Sequence, residues 1–381
     1  MTGIKYVMAQ DPSGYGAAAR SYVNALYLAG INITTEIIKQ MGEATDYGIS
    51  GAISNALKDR NIDYDIKIIH LTPDLYPQYI EDDKYNIGHL FWETDKLPRE
   101  WVKPLNMVSE IWTASENMAK MISDSGVATP IRCFPQPIDL SLEKLSPFIT
   151  QYPKDFIFYS IFQWIARKNP RTLLRAYWKE FSGNENVTLL LKTYRVNYSE
   201  KEYDLIKYDI DSWKRELNLK HYPKIFLVEK LLTEKEVQRL HLMGDCFIQP
   251  SSGEGWSRPT HEAMLYGKPV ISGDNGGLTD YLTDDLYYKV ESKEVPVTVQ
   301  SFIPWYQSGM NWKELDEKSL REKMRKVYEN YPEAVKTARE AKNYIEQKTT
   351  LDIIGQMMEN RIDEICRENV KNAEEKLIQS L

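Results

Sequence analysis

The sequence is poor in the residues that build disulfide frameworks, zinc sites and membrane spans. Only three of its 381 residues are cysteines (Cys133, Cys246 and Cys366), far apart and without a C-x-x-C pair, so we expect reduced, buried thiols and no zinc site. No apolar run approaches the ~20 residues of a membrane span. The N-terminus lacks the basic and apolar regions of a secretory signal. These absences predict a cytoplasmic protein without an integral membrane segment.

An excess of positive charge is also lacking. The chain has 48 Lys and Arg against 55 Asp and Glu, a net charge of −7, and residues 1–150 carry 13 against 19. Nucleic acids and anionic membrane surfaces attract proteins that are rich in Lys and Arg. We therefore expect no nucleic-acid partner, and no basic amphipathic helix indicates peripheral membrane contact. The sequence leaves the oligomeric state open.

The chain does contain a regular alternation of apolar strand patterns and helical patterns. Such alternation predicts an α/β protein with two doubly wound, Rossmann-like domains of parallel sheet that face a cleft. We place an N-terminal domain at 1–145, a C-terminal domain at 150–345 and C-terminal helices at 346–381. One option is that these last helices pack back on the N-terminal domain. The predicted strands are 4–9, 66–71, 85–92, 110–115, 156–162, 187–194, 224–229, 246–251 and 269–274, and the predicted helices are 17–29, 117–123, 170–181, 233–243, 258–266 and two or three within 313–381.

The most informative stretch is residues 245–277, DCFIQPSSGEGWSRPTHEAMLYGKPVISGDNGG. A predicted strand ends in a Ser- and Gly-rich turn, and a helix begins near Arg258. Glu254 lies in the turn and Glu262 lies one turn into the helix, so both can face one side. The unpaired N–H groups of a helix start form a site for a diphosphate. Taken alone, two glutamates at this spacing are more often part of a solvated surface.

This stretch closely resembles the E-x7-E motif of retaining, family 4-like glycosyltransferases with the GT-B fold. Weaker similarity extends along the chain through SGYG at 13–16, WTAS at 112–115, FPQPID at 134–139 and FQWIARKNPRTLLRAY at 162–177. The resemblance implies that a hexose moves from a UDP- or GDP-linked sugar to a hydroxyl of a glycan or another acceptor. It also implies that the C-terminal domain binds the donor and the N-terminal domain binds the acceptor.

The resemblance also implies roles for individual residues. Glu254 would hold hydroxyls of the transferred sugar together with the backbone of Gly255 and Trp256, and Glu262 would hold the ribose. Arg167 and Lys168 would neutralise the diphosphate. Gln163 stands where the family usually has Arg, so other positive groups are needed. The further donor-binding candidates are Gly14, Gly16, Lys192, Ser257 and Arg258.

The acceptor side of the predicted site lies in GHLFWETDKLP, residues 88–98. Glu93 and Asp95 follow the predicted strand and are our candidates for a catalytic role beside Glu254. Trp92 would stack on a sugar acceptor, unless it is simply a core residue. Many members of the family have a His near this strand end, but His89 lies within the strand, where a lone His is usually a core residue.

No D-x-D motif follows a strand, where Mg²⁺ would bridge phosphates. Asp209-Ile210-Asp211 lies in a charged stretch with a helical pattern. We therefore expect no metal and no cofactor, the nucleotide sugar being a substrate. Two alternatives remain. The chain is a catalytically silent GT-B subunit that binds a partner transferase, or it is a nucleotide-sugar epimerase on the same fold.

Overall fold

The computed structural model describes residues 3–9, 13–38, 52–139, 155–298 and 303–380. The chain divides into two compact units. Unit 1 comprises Met1–Phe91, Arg99–Leu140 and Gln347–Leu381, and unit 2 comprises Trp92–Pro98 and Ser141–Glu346. The boundary that the sequence predicts between 145 and 150 lies outside the described residues.

Unit 1 is built on a six-stranded parallel sheet in the order β2-β1-β3-β4-β5-β6. Its strands are largely buried, as expected for a parallel sheet covered on both faces. The order reverses between β1 and β3, which makes their carboxyl ends the expected ligand position of this sheet. The strands are β1 (Gly3–Ala9), β2 (Ile33–Ile38), β3 (Tyr64–His70), β4 (Tyr85–His89), β5 (Glu110–Thr113) and β6 (Ile131–Cys133).

The last helix of the chain belongs to unit 1. Ile354, Met358, Ile362 and Ile365 recur at helical spacing and pack into its core. Gly355 allows a close approach, since a Cβ there would lie 2.6 Å from the carbonyl oxygen of Ala25. The helices of unit 1 are α1 (Gly14–Leu28), α2 (Ala52–Ala56), α3 (Arg99–Leu105), α4 (Glu116–Asp124), a 3₁₀ turn (Pro73–Gln78) and α11 (Leu351–Ser380).

An ion pair holds α11 to the sheet of unit 1. Arg361 donates to both carboxylate oxygens of the fully buried Glu110 on β5, from Nη2 at 2.6 Å and from Nε at 3.0 and 3.2 Å. A fork-shaped guanidinium suits such two-oxygen contacts with a carboxylate. The contact therefore fixes the position of α11 along β5.

Unit 2 is built on a second six-stranded parallel sheet, in the order β12-β11-β10-β7-β8-β9. The chain winds outward from β7 and returns to β10 beside it, so the strand order reverses between β7 and β10. Ligands of doubly wound sheets bind at the carboxyl ends next to this reversal. The strands are β7 (Phe156–Gln163), β8 (Val187–Tyr194), β9 (Lys224–Val228), β10 (Cys246–Gln249), β11 (Val270–Ser272), β12 (Tyr288–Lys289) and a separate hairpin, β13 (Ser292–Pro296) with β14 (Asn311–Leu315).

Helices of unit 2 begin at recognisable start signals. Pro170 and Pro259 occupy the first turns of α5 and α8, and Thr233 forms a capping box with Glu236 at the start of α7. The helices are α5 (Pro170–Glu180), α6 (Glu200–Leu217), α7 (Glu234–Met243), α8 (Arg258–Leu265), α9 (Glu317–Glu329) and α10 (Tyr331–Glu346), with 3₁₀ turns at Ala166–Lys168 and Gly276–Asp280.

Each predicted strand and helix has a counterpart in the structure, and the differences are local. The strand predicted at 85–92 ends at His89, and residues 311–315 form β14 rather than the start of a helix. Strands β2, β6, β12 and β13 were not predicted, because they are short, partly exposed or rich in charge. Cys246 is buried, but Cys133 and Cys366 are only half-buried. No helix within the described ranges is both long and apolar enough to cross a membrane.

Candidate active site

A charged cluster lies where the strand order of unit 2 reverses. β7 is followed by a 3₁₀ turn that carries Arg167 and Lys168, and β10 is followed by the loop that carries Glu254. Because neighbouring parallel strands end at the same edge of the sheet, these three side chains meet there. The cluster stands at the position where doubly wound sheets bind their ligands.

Glu254 is held between two cations. Its carboxylate accepts a hydrogen bond from Lys168 Nζ and lies 3.4 Å from Arg167 Nη1, and only 5% of the residue is exposed. Burial alone would raise the pKa of Glu254, but Lys168 and Arg167 outweigh burial and hold the pKa below its ordinary value. Burial and the neighbouring Arg167 lower the pKa of Lys168. Glu254 is therefore a buried carboxylate at neutral pH.

Each of the three nitrogens of the Arg167 guanidinium group has a polar partner. Nε donates to the Tyr306 hydroxyl at 2.7 Å, Nη1 to the Gly253 carbonyl at 2.7 Å, and Nη2 lies 3.1 Å from the Glu93 carboxylate. Burial would lower the pKa of Arg167, but Glu93, Tyr306 and Glu254 raise it. Arg167 is thus a permanent buried charge that joins three separate segments of unit 2.

Residues 92–98 and 303–312 form a structure that we call the clasp. Asp95 accepts hydrogen bonds from the backbone and side-chain amides of Asn311, at 2.5 and 3.2 Å, and Lys96 donates to the Gly309 carbonyl at 3.1 Å. The rings of Trp92 and Tyr306 lie 5.5 Å apart. The clasp therefore places Glu93 on Arg167, whereas the Asp95 carboxylate is engaged by Asn311 and not by the cluster.

Two glycines allow the backbone segments of the site to touch. A Cβ on Gly253 would overlap the carbonyl oxygen of Glu93, and a Cβ on Gly276 would overlap the carbonyl oxygen of Glu254. Gly276 also has φ of +54°, a conformation that favours glycine. Gly277 N–H donates to the same Glu254 carbonyl at 2.8 Å. The Gly-Gly turn after β11 therefore supports the backbone of Glu254.

Glu262 belongs to a second charged group on α8. Its carboxylate accepts from Arg258 Nε at 2.7 Å and lies 3.4 Å from His241 Nε2, while His241 Nδ1 lies 2.9 Å from the Tyr159 hydroxyl. Burial would raise the pKa of Glu262, but Arg258 and His241 lower it to about 2. Arg258 is therefore already engaged by Glu262, one helical turn along α8.

Five of the seven residues between the two glutamates are buried, and Arg258 and Pro259 are partly buried. Trp256 is 3% exposed and donates from its indole nitrogen to His261 Nδ1 at 3.2 Å, while its carbonyl accepts from the Tyr281 hydroxyl at 2.7 Å. Ser257 has φ of +67°, and its hydroxyl bonds Gln249 and Thr260 instead of capping α8. This left-handed conformation costs a serine backbone strain, and such strain clusters at active sites and ligand clamps.

Lys192 lies on β8, the neighbour of β7, and not in the Glu254 cluster. It is 5% exposed, and its ammonium lies 4.6 Å from the ring centre of Tyr198 and 5.5 Å from that of Tyr194. Burial, opposed by the charge of Glu229, lowers the pKa of Lys192 to about 8. Gln163, at the end of β7, donates to the Arg195 carbonyl at 2.7 Å.

The remaining sequence candidates, Gly14, Gly16 and His89, lie in unit 1. Gly14 opens α1 after β1, and the Gly16 N–H donates to the Ser13 hydroxyl at 3.2 Å. His89 is fully buried and stacks on His70 at 4.2 Å, and burial lowers its pKa to about 3. His89 is therefore a neutral core histidine, in line with the usual role of a lone His within a strand.

Sequence reasoning found the cluster's charged residues but missed Tyr306. No local motif marks Tyr306, and its contact with Arg167 spans 139 positions of the chain. Asp209 accepts from the Trp164 indole at 2.9 Å, within α6 as expected. Within the described part of the chain, no group of three or more His, Cys, Asp or Glu side chains is arranged to hold a metal ion.

Comparison with solved structures shows the fold. HepE from Anabaena, in complex with UDP and glucose, is 14% identical with a TM-score of 0.66 and covers 96% of this chain and 100% of its own. Sucrose-phosphate synthase from Thermosynechococcus elongatus is 13% identical with a TM-score of 0.71, covering 97% and 100%. A glycosyltransferase from Rickettsia africae is 13% identical with a TM-score of 0.65, covering 96% and 98%. These similarities confirm the predicted GT-B fold with two Rossmann-like domains.

Sequence comparisons give one match. No curated protein sequence is significantly similar to this chain. The family described as "Glycosyl transferases group 1" matches residues 150–347, which is more than half of the chain.

Proposed function

This chain belongs to the group 1 glycosyl transferases, and on that premise we propose that it is a retaining hexosyltransferase. It moves a hexose from a UDP- or GDP-linked sugar to a hydroxyl of a glycan or another acceptor, without a metal ion. The observation that carries the proposal is the buried Glu254, held between Lys168 and Arg167 where the strand order of unit 2 reverses. HepE has been crystallised with UDP and with UDP-glucose, which favours a uridine donor.

The cluster is balanced in charge, since Glu93 and Glu254 face Arg167 and Lys168. A donor changes this balance because its diphosphate brings further negative charge. We propose that sugar hydroxyls donate to the Glu254 carboxylate and take the place of Lys168. Lys168 then turns its ammonium to the diphosphate. This exchange gives both the Glu254 carboxylate and the diphosphate a partner, which buried charges require.

The same groups would stabilise the charges that develop during the reaction. Negative charge grows on the diphosphate as the anomeric C–O bond breaks, and positive charge develops on the sugar. Lys168, Arg167 and the backbone N–H groups from Gly255 to Arg258 stabilise the leaving diphosphate, an electrostatic effect of a preorganised site. Glu254 orients the sugar and stabilises its developing positive charge. Retention of configuration follows from the family resemblance.

Glu262 is proposed to bind the ribose diol, the role that acidic residues have in other nucleotide sites. Its pKa of about 2 keeps it ionised at neutral pH, so it accepts hydrogen bonds from hydroxyls. Lys192 is proposed as a further positive group on the donor side. Gly14 and Gly16 stay donor-binding candidates through the family resemblance, in which the glycine loop after the first strand has that role. Asp95 is a weaker candidate because Asn311 engages its carboxylate.

Calorimetric titration with UDP, GDP, ADP and CMP tests the donor site. One nucleoside diphosphate should bind selectively to the wild type, and Glu262→Ala should weaken that binding. Binding of none of the four would favour the silent-subunit alternative and overturn the proposal.

Turnover tests the role of Glu254. With sugars of the selected base, Glu254→Gln should reduce kcat far more than nucleotide affinity. Glu317→Gln is the matched control, because Glu317 is also held between a lysine and an arginine, Lys179 and Arg175, but on the helical face of unit 2. Equal kcat values for the two variants would contradict the assignment of Glu254.

A further inference from the structure

We propose that Tyr306 is a positioning residue of the donor site. Its hydroxyl fixes Arg167, and Arg167 in turn fixes the loop that carries Glu254. The catalytic meaning of this arrangement rests on the proposed function, but the mechanical link from Tyr306 to the loop does not. The link has three steps, each visible as a contact within unit 2.

The first step is the contact between Tyr306 and Arg167. Tyr306 is 3% exposed, and its ring packs 5.5 Å from Trp92 and, edge on, 5.7 Å from Trp312. These indoles hold the phenol ring, so the position of its oxygen is set by packing. That oxygen accepts the only N–H of Arg167 Nε, at 2.7 Å. Tyr306 thereby sets one edge of the guanidinium group.

The second step follows from the shape of arginine. A guanidinium group is planar and rigid, so fixing two of its nitrogens also fixes the third. Tyr306 holds Nε and Glu93 holds Nη2, which leaves Nη1 directed at the Gly253 carbonyl at 2.7 Å. Gly253 directly precedes Glu254. The guanidinium therefore transmits the position of Tyr306 to the residue next to the proposed sugar-binding carboxylate.

The third step is that hydrogen bonds hold the two segments of the clasp together. Asp95 and Asn311 join its two segments by side-chain and backbone hydrogen bonds, including Asp95 N–H to the Asn311 carbonyl at 3.1 Å. The backbone of Glu93 lies directly against Gly253. The clasp thus presents Tyr306 and Glu93 as one preformed support. This arrangement gives Asp95 a structural role.

Tyr306→Phe removes the acceptor and keeps the ring, so it tests the hydroxyl alone. The buried Nε–H of Arg167 then lacks its partner, and the guanidinium shifts away from the Gly253 carbonyl. A displacement of about 1 Å at a reacting centre can cost about a hundredfold in rate. We expect kcat to fall about tenfold or more, because the displaced loop moves the Glu254 carboxylate away from the sugar. We expect the Kd of the nucleotide to rise as well, because Arg167 is also proposed to contact the diphosphate.

Tyr177→Phe is the matched control. Tyr177 is fully buried and donates to the Lys224 carbonyl at 2.8 Å, at the opposite, amino-terminal edge of the same sheet. It should leave kcat unchanged. A double-mutant cycle with Arg167→Met then tests the route, since Tyr306→Phe should have no further effect on kcat once Arg167 is gone. An undiminished effect in that background would overturn the proposal.

Hydrogen exchange followed by mass spectrometry provides a readout that needs no turnover. Exchange over residues 250–257 should accelerate in Tyr306→Phe and stay at the wild-type rate in Tyr177→Phe. Unchanged exchange in Tyr306→Phe would overturn the proposal, whatever the activity. Accelerated exchange in a protein that binds no nucleotide would uphold the mechanical link and refute the proposed function instead.

Discussion

Replacing Lys192 by methionine should stabilise the protein and weaken donor binding. Lys192 is 5% exposed on β8, and none of the described carboxylates forms an ion pair with it. A pKa of about 8, against an ordinary 10.5, corresponds to roughly 3 kcal/mol of unfavourable charge burial at neutral pH. Methionine keeps the apolar stem and removes the charge. We expect about 2–3 kcal/mol of stabilisation, or a rise in Tm of roughly 4–12 °C.

The pH dependence has a definite sign. The unfolded chain binds the Lys192 proton more tightly than the folded protein. The free-energy cost of burying the charged lysine is therefore complete below pH 8 and shrinks as the pH rises towards 10.5. Scanning calorimetry of wild type and variant at pH 7 and pH 10.5 should therefore show a gain in Tm only at pH 7. An equal gain at both pH values, or a loss at pH 7, would refute the reasoning.

Lys67→Met is a control for which we expect the opposite change in Tm. Lys67 is equally buried on β3, but its ammonium lies 2.5 Å from the Glu81 carboxylate. Lys67→Met leaves Glu81 without this partner and should lower Tm at pH 7. Calorimetric titration with the nucleotide tests the functional half of the prediction. Unchanged affinity in Lys192→Met would remove Lys192 from the donor site, even if its stability behaves as expected.

Three further substitutions test individual contacts within unit 1 or unit 2. Lys168→Met removes one of the two cations that hold the pKa of Glu254 below its ordinary value. The pKa of Glu254 should therefore rise, and the stability that its ionised form contributes should be lost at a higher pH in the variant than in the wild type as the pH falls; identical pH profiles of urea unfolding would contradict it. Gly276→Ala should displace the Glu254 backbone and reduce kcat, and wild-type kcat would argue against that contact. Arg361→Met removes the nearest cation from the buried Glu110 and leaves Arg132 at 3.9 Å, which should cost about 3–5 kcal/mol by urea unfolding; a loss below about 1 kcal/mol would contradict it.

Elements with a strong local pattern could be predicted from the sequence. Strand β8 is an apolar run on a sheet covered on both faces, and its predicted bounds agree with the structure. The loop from β10 to α8 was predicted because a strand end, a Gly-rich turn and an early Pro259 follow one another within a few residues. Arg167 and Lys168 after β7 were assigned through the family resemblance, because a basic pair after a strand is by itself more often a surface feature.

The clasp could not be predicted, because its contacts join distant parts of the chain. Residues 92–98 were expected to continue the acceptor side of the N-terminal domain, but they group with unit 2. Tyr306 lies in IPWYQSGMNW, which has neither strand nor helical periodicity. Its role depends on Arg167, and that of Asp95 on Asn311. Such pairs appear only once the chain is folded.

The packing of α11 has a consequence for biosynthesis. The core of unit 1 includes Ile354, Met358 and Ile362, so the unit that begins the chain is completed by residues translated after those of unit 2. N-terminal domains usually fold first as a chain emerges from the ribosome, but here the packing of unit 1 is incomplete until α11 has emerged. The nascent unit 1 keeps an apolar face of α1 uncovered until residue 365 has left the ribosome, and a chain released before that point carries an incomplete first unit for chaperones and proteases to recognise.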